Sequence, residues 1–376
     1  GGSLERKALA WALAIKGRKL SSATLAAIAE DLSHWPGAKI IRNNIEAALV
    51  KENNPSALKL AFKASPPRTS EAALALAKAH LNSGSTKRAR AVIAPFWSTH
   101  TLKRSEEALI LKHFGSILTR DDHRSRIAYL FGKDRFNSAG RIAGLAGWKR
   151  LVAARTAVER NHKSAANKLA NIPKSQRNDP AYLLAKARHL RKRDRISQAA
   201  NLLLLVKPNT IDANAADEHW REQRIVASDL LEAGKSKLAY QLAAHNTAIS
   251  AAKRIDAEFY AGWLALTKRN SPKRAATHFS ALLDVATTPL SKSRGLYWLA
   301  RAKEKSGHRA DSQSAYANAA RYATTYYGQL ASLKVGRKSL KISRTRASQS
   351  DRARLSKLEL LQAIDLLESV GEHRRA

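Results

Sequence analysis

The chain has 376 residues, with 67 Lys and Arg against 30 Asp and Glu, a formal net charge of +37 with histidine neutral. An apolar share of 44% suffices to build a core and excludes a disordered basic tail. The absence of cysteine excludes a disulfide framework, thiolate metal sites and cysteine nucleophiles.

A charge of this size implies an anionic partner: nucleic acid, an anionic membrane surface or an acidic wall polymer. A membrane span needs about 20 predominantly apolar residues. The longest stretch without Asp, Glu, Lys or Arg is Leu238–Ala252, and it contains Gln241, His245, Asn246 and Thr247, so no span is expected. The chain opens Gly1-Gly2-Ser3 where translation would place Met, which suggests a trimmed terminus.

Alanine and leucine dominate and β-branched runs are few, which predicts helix throughout. Ala72–Leu81 gathers its apolar residues on one wide face, as does Tyr297–Ala302. No segment alternates as a strand would. A recurring triad sets the organisation: a small or apolar residue, a turn residue seven later and a small residue five after that. Its best instances are Ala77–Gly84–Ala89, Ala154–Asn161–Ala166, Ala187–Asp194–Ala199, Ala227–Gly234–Ala239, Trp263–Asn270–Ala275 and Ala300–Gly307–Ser312, with a weaker one at Gly115–Asp122–Ile127.

The anchors recur every 33 to 40 residues, the period of stacked helix–turn–helix units. Gly, Asn or Asp ends the first helix in a left-handed turn, and the small residue lets the second helix pack close. One hairpin cannot bury its own apolar face, so neighbours stack. The expected fold is therefore all-α: a superhelical array of stacked helical hairpins, an α-solenoid closing into a horseshoe or ring. Asp179-Pro180 marks a helix start, with Pro at the first position after an Asp cap.

Three regions are expected: an α-superhelical domain over 1–335, a basic linker over 336–350 and the start of a small helical linker domain over 351–376. The stretch Gly336–Arg354 carries seven cations against Asp351, and Leu355–Val370 regains a helical apolar face.

Chemical motifs are scarce. His113 and His123 flank a polar segment with Asp121 and Asp122 and suggest a turn rather than a metal site. Gly140–Gly147 lacks the Lys-Ser/Thr of a phosphate loop and reads as close helix packing. No cofactor is expected. Repeat spacing is too irregular for a base-per-repeat code, so no specific nucleic acid is expected either.

The most specific text lies in Glu258–Ala331. Its blocks are Glu258-Phe259 with Ala261-Gly262-Trp263; His278-Phe279; Ser293-Arg294 with Tyr297-Trp298-Leu299-Ala300-Arg301-Ala302; and Thr324-Thr325-Tyr326-Tyr327-Gly328-Gln329-Leu330-Ala331. This text resembles the superhelical (U-shaped) domain of the soluble lytic murein transglycosylases, close to where its repeats end. Asp122-His123-Arg124 with Arg126, Leu183–Arg193 and Trp220–Tyr240 look similar to earlier hairpins of that family. Residues 351–376 look like the start of its linker region.

The resemblance implies a periplasmic parent enzyme that cleaves peptidoglycan strands to 1,6-anhydromuramoyl products. Its acid/base glutamate would sit in a lysozyme-like domain after the linker. That domain is expected to lie beyond this chain. Glu368-Ser369 shows the letters of the catalytic motif without its aromatic residue, so no catalysis is assigned to it and no activity is expected of the chain alone. The implied partners are peptidoglycan and the catalytic domain. Arg294, Tyr297, Trp298, Arg301, Tyr326 and Tyr327 are the candidate glycan or domain contacts, against a competing role in hairpin packing and internal salt bridges. The alternative is a stand-alone helical-repeat scaffold that binds a protein partner.

Overall fold

The structure is a computed structural model that describes residues 2–17, 19–337 and 348–372. Among these residues it holds twenty-two α-helices, two short 3-10 turns and no strand. By contact the chain divides into two compact units: the described residues of Gly1–Thr119 with Ser343–Ala376, and those of Arg120–Ile342.

The first unit contains α1 (Ser3–Lys16), α2 (Ser22–Asp31), α3 (Ala38–Glu52), α4 (Pro55–Ala61), α5 (Ser70–Asn82), α6 (Thr86–Thr99) and α7 (Arg104–Phe114). The second contains α8 (Arg120–Gly132), α9 (Phe136–Ile142), α10 (Lys149–Glu159), α11 (Ala165–Ala170), α12 (Pro180–Arg191), α13 (Ile196–Leu204), α14 (Ala213–Glu232) and α15 (Ser236–Ala244). It continues with α16 (Ala251–Thr267), α17 (Pro272–Val285), α18 (Pro289–Lys305), α19 (Arg309–Ala320) and α20 (Tyr326–Lys334). α21 (Gln349–Leu355) and α22 (Glu359–Ser369) rejoin the first unit.

The triad reading holds at its six best instances. Gly84, Asn161, Asp194, Gly234, Asn270 and Gly307 all have left-handed backbone, with φ between 47° and 82°. The following residue often reaches back to close the helix end, as when the Lys235 amide donates to Leu230 O at 2.8 Å. Ala187, Ala199, Ala227 and Ala239 are fully buried and form one core with Leu184, Leu203, Leu230 and Leu242.

The weak instance fails. Asp122 lies inside α8, and the turn comes at Asp134, with φ 55°. The working triad is Ile127–Asp134–Ala139, whose outer members are both buried. An acidic residue in the first turn of a helix satisfies the dipole there, so Asp122 marks a helix start and not an end. Asp179 accepts from the Ala181 amide at 2.9 Å and opens α12, as expected.

Two further expectations change. Gly140 has open space where a Cβ would stand, so close packing does not explain it; Gly147, with φ 67°, forms the turn before α10. Leu355–Val370 is broken at 356–358 into α21 and α22. Of the expected linker 336–350, residues 338–347 lie outside the described residues. α22 packs on α1: Ala363 and Leu367 join Ala8, Trp11, Ala14, Leu25 and Trp35 in a core. Glu359 accepts from Lys7 Nζ at 2.6 Å and from Trp35 Nε1 at 2.8 Å.

Candidate functional site

The four sequence blocks meet in the second unit. α18 carries Arg294, Tyr297, Trp298 and Arg301, and α20 opens with Tyr326 and Tyr327. Tyr297 is 9% exposed, with its ring 5.7 Å from Tyr316 on α19 and 5.5 Å from Tyr327. Trp298 faces Phe259 on α16 and Phe279 on α17, at 5.9 and 6.0 Å between centroids. These rings form a continuous wedge between hairpins, with the offset and tilted geometries that aromatic quadrupoles favour.

The arginines join this wedge through their planes. The Arg294 guanidinium lies 4.4 Å from the Phe259 ring and that of Arg301 lies 5.0 Å from the Trp298 ring. Neither has an ion pair among the described residues, so stacking takes the place of the expected internal salt bridges. Burial lowers the Arg294 pKa from its ordinary value, while Tyr327 and Asp256 act in the opposite sense. Of the six candidates only Tyr326 is a strongly exposed aromatic, at 65%, and its ring meets Tyr327 at 5.1 Å.

The motif residues Glu258 and His278 also come together. His278 Nδ1 and Glu258 Oε2 are 2.7 Å apart, and Asn246 Nδ2 donates to Glu258 Oε1 at 3.2 Å. Burial works against the Glu258 carboxylate, yet these hydrogen bonds hold its pKa below the ordinary range. Gly262 is required by close approach: a Cβ there would stand 2.7 Å from the Phe279 ring. The blocks thus set the packing of α16, α17 and α18.

Sequence reasoning missed a buried ion network at α10, α12 and α14. Arg155 Nη2 donates to Glu218 at 2.5 Å, and Arg188 Nε donates to Glu222 at 2.9 Å. Arg188 Nη1 also pairs with Glu159 and, at 3.2 Å, with Glu218. Arg191 reaches Glu222 at 2.6 Å. Burial raises the Glu218 pKa, but Arg155 and Arg188 outweigh it and bring it to about 2. His219 lies beside them, 1% exposed, with neither ring nitrogen hydrogen-bonded; burial and Arg155 lower its pKa to about 3. The i, i+4 pair Glu218/Glu222 and the i, i+3 pair Arg188/Arg191 were the available signals.

Outside this core the surface is cationic. A groove of about 750 Å³ crosses α9, α10 and α11, with a floor that includes Gly140, Val152 and Ala153. Lys149, Arg160 and Lys168 stand on its rim, and none has an ion pair among the described residues. Arg160 donates instead to Asn137 Oδ1 at 2.9 Å. No carboxylate lines the groove among the described residues. Such a surface attracts carboxylate- or phosphate-bearing polymers.

No family model matches the sequence, and no curated protein matches it. Among solved structures, the chain is similar to the 70-kDa soluble lytic transglycosylase in its complex with bulgecin A, with a TM-score of 0.50 and 14% identity. The likeness covers 95% of this chain and 57% of that one, so the chain spans somewhat more than half the length of that enzyme. At this identity the likeness shows the fold: all-α, a superhelical array of stacked helical hairpins. Among the described residues no helix is long and apolar enough to cross a membrane.

Proposed function

We propose that this chain acts as the non-catalytic superhelical scaffold of a periplasmic lytic transglycosylase. The enzyme would cleave peptidoglycan strands to 1,6-anhydromuramoyl products. The observation that carries this reading is the fold likeness to a lytic transglycosylase over 95% of the chain. The sequence blocks in Glu258–Ala331 support it, because they build the aromatic wedge of α16–α20. In this reading the wedge fixes the hairpins that meet the catalytic domain, and exposed Tyr326 is the contact residue on that side.

The scaffold's work is binding and positioning. Its buried carboxylates are held by internal partners, which leaves lysines and arginines in excess on the surface. Peptidoglycan carries carboxylates on its lactyl groups and stem peptides, and so is the matching polymer. Glu368 is exposed at the end of α22 and is given no catalytic role.

Sedimentation of the purified chain with sacculi tests the reading. Binding is expected to weaken as salt rises from about 50 to 200 mM, as screening shortens the reach of surface charge. No anhydromuropeptide should be released. Release of these products, or failure to co-sediment at low salt, would overturn the proposal.

A further inference from the structure

A second cavity, of about 330 Å³, lies inside the second unit. Its lining includes Asp121 and Arg124 of α8, Trp148 and Arg155 at α10, Asp179 at the start of α12 and Asp212 at the start of α14. The volume is at the low end of the range for ligand cavities, roughly 300–1,000 Å³.

Two lining residues carry donors with no partner. Trp148 is 7% exposed, and its Nε1 has no hydrogen-bond acceptor among the described residues. Arg155 is 2% exposed; its Nη2 donates to Glu218, but its Nε has no acceptor. Three of the other indoles are served, whereas Trp298 Nε1 on α18 also lacks an acceptor among the described residues. Trp11 donates to Pro36 O at 2.7 Å, Trp35 to Glu359 at 2.8 Å and Trp220 to Asp256 at 3.1 Å. Buried donors are almost always paired in folded proteins, so two orphans lining one cavity call for a guest.

The acceptors are also at hand. Asp179 and Asp212 each use one oxygen to cap a helix, accepting at 2.9 and 2.8 Å. Their second oxygens have no hydrogen-bond partner among the described residues. Arg124 already pairs with Asp121 at 3.1 Å and lies 5.2 Å from the Trp148 ring. Both guanidiniums are thus neutralised, which removes the pull on a small anion, while their presence beside the carboxylates disfavours a metal cation. What remains is a mixed set of donors and acceptors against an aromatic wall. A hydroxyl is both donor and acceptor, so it satisfies such a set where an amine or a carboxylate satisfies only half.

We propose that this cavity is a saccharide subsite that takes one polyhydroxylated pyranose ring. Trp148 Nε1 and Arg155 Nε donate to its hydroxyls, and Asp179 and Asp212 accept from them. The cavity stands on its own geometry; that the ring belongs to wall glycan rests on the function proposed above.

The test uses the full chain with chitotriose and maltotriose as probes, read by ligand-observed NMR and tryptophan fluorescence. Chitotriose is expected to bind with a Kd of about 1 mM. Trp148→Phe keeps the aromatic wall and removes the N–H. Asp179→Asn keeps a helix cap and replaces the acceptor pair. Each should weaken binding about three- to tenfold, the effect of one buried hydrogen bond, with unchanged far-UV circular dichroism. Absence of saturation transfer from both probes, or an affinity in both variants unchanged from that of the unaltered chain, would overturn the subsite. Saccharide binding by a chain that ignores sacculi would uphold the subsite and sink the wall reading. Sacculus binding without saccharide binding would do the reverse.

Discussion

The two units treat their buried carboxylates differently. In the first, Glu46 is 1% exposed and accepts from the Arg68 and Thr69 amides at 3.0 and 2.9 Å and from the Thr69 hydroxyl. Glu52, although exposed, is held in the same way: it accepts from the Ser22 amide and hydroxyl, both at 2.6 Å, and these bonds lower its pKa. In the second, Glu218 and Glu222 answer to guanidiniums on neighbouring helices. The first arrangement stitches a loop to a helix locally. The second ties three helices that no loop joins directly, and arginine suits it because its planar fork serves two carboxylates at once. Among the described residues each unit buries two carboxylates, Glu46 and Glu107 in the first and Glu218 and Glu222 in the second. No lysine is among the buried residues described, and the surface keeps the positive excess.

The comparison breaks most visibly at Arg188. Burial opposes its charge, yet Glu222, Glu159 and Glu218 raise its pKa above the ordinary value. Arg188→Ala should lower stability by about 3–5 kcal/mol, because it leaves carboxylates buried without a counter-charge. Urea unfolding followed by circular dichroism checks this, and a loss under about 1 kcal/mol would mean that solvent reaches the network.

Acid should separate the units next. His219 has a folded pKa of about 3 against an ordinary 6.5. The unfolded chain therefore takes up the proton first, and stability falls as pH drops from about 6.5, by roughly 1.4 kcal/mol per pH unit. Glu218, depressed to about 2, adds to the loss once pH falls below its ordinary 4.5. In His219→Leu the loss between pH 6.5 and 4.5 should shrink to the part left by His80, His100, His123 and His189, whose pKa values burial also lowers, and a thermal melt at each pH shows whether it does.

Much of the fold was legible from single residues. The turn triads were visible because left-handed backbone admits few residue types, so Gly, Asn and Asp mark it directly. Asp122 misled because the same residue types also open helices. The ion network was not legible: Arg188 meets Glu159 and Glu222 across hairpins, where sequence separation carries no register. The candidate arginines Arg294 and Arg301 were found on one helix as expected, but their partners are rings of α16 and of α18 itself. The saccharide cavity left no motif, since its members come from four separate places in the chain.

Two smaller changes sharpen the comparison. Glu46→Gln should cost about 1–3 kcal/mol, as the Arg68 and Thr69 amides lose part of their acceptor. Gly234→Ala should cost about 1 kcal/mol: its φ is 74° and nothing crowds the added Cβ, so the effect is that of backbone conformation alone. Chemical denaturation of each variant measures both.

The most direct test of a cationic scaffold facing an acidic wall is to bind the chain to two preparations of sacculi, one native and one with its carboxylates converted to amides. A cationic scaffold binds the native wall strongly at low salt and loses nearly all of that binding on the amidated one. Equal binding to both would contradict it.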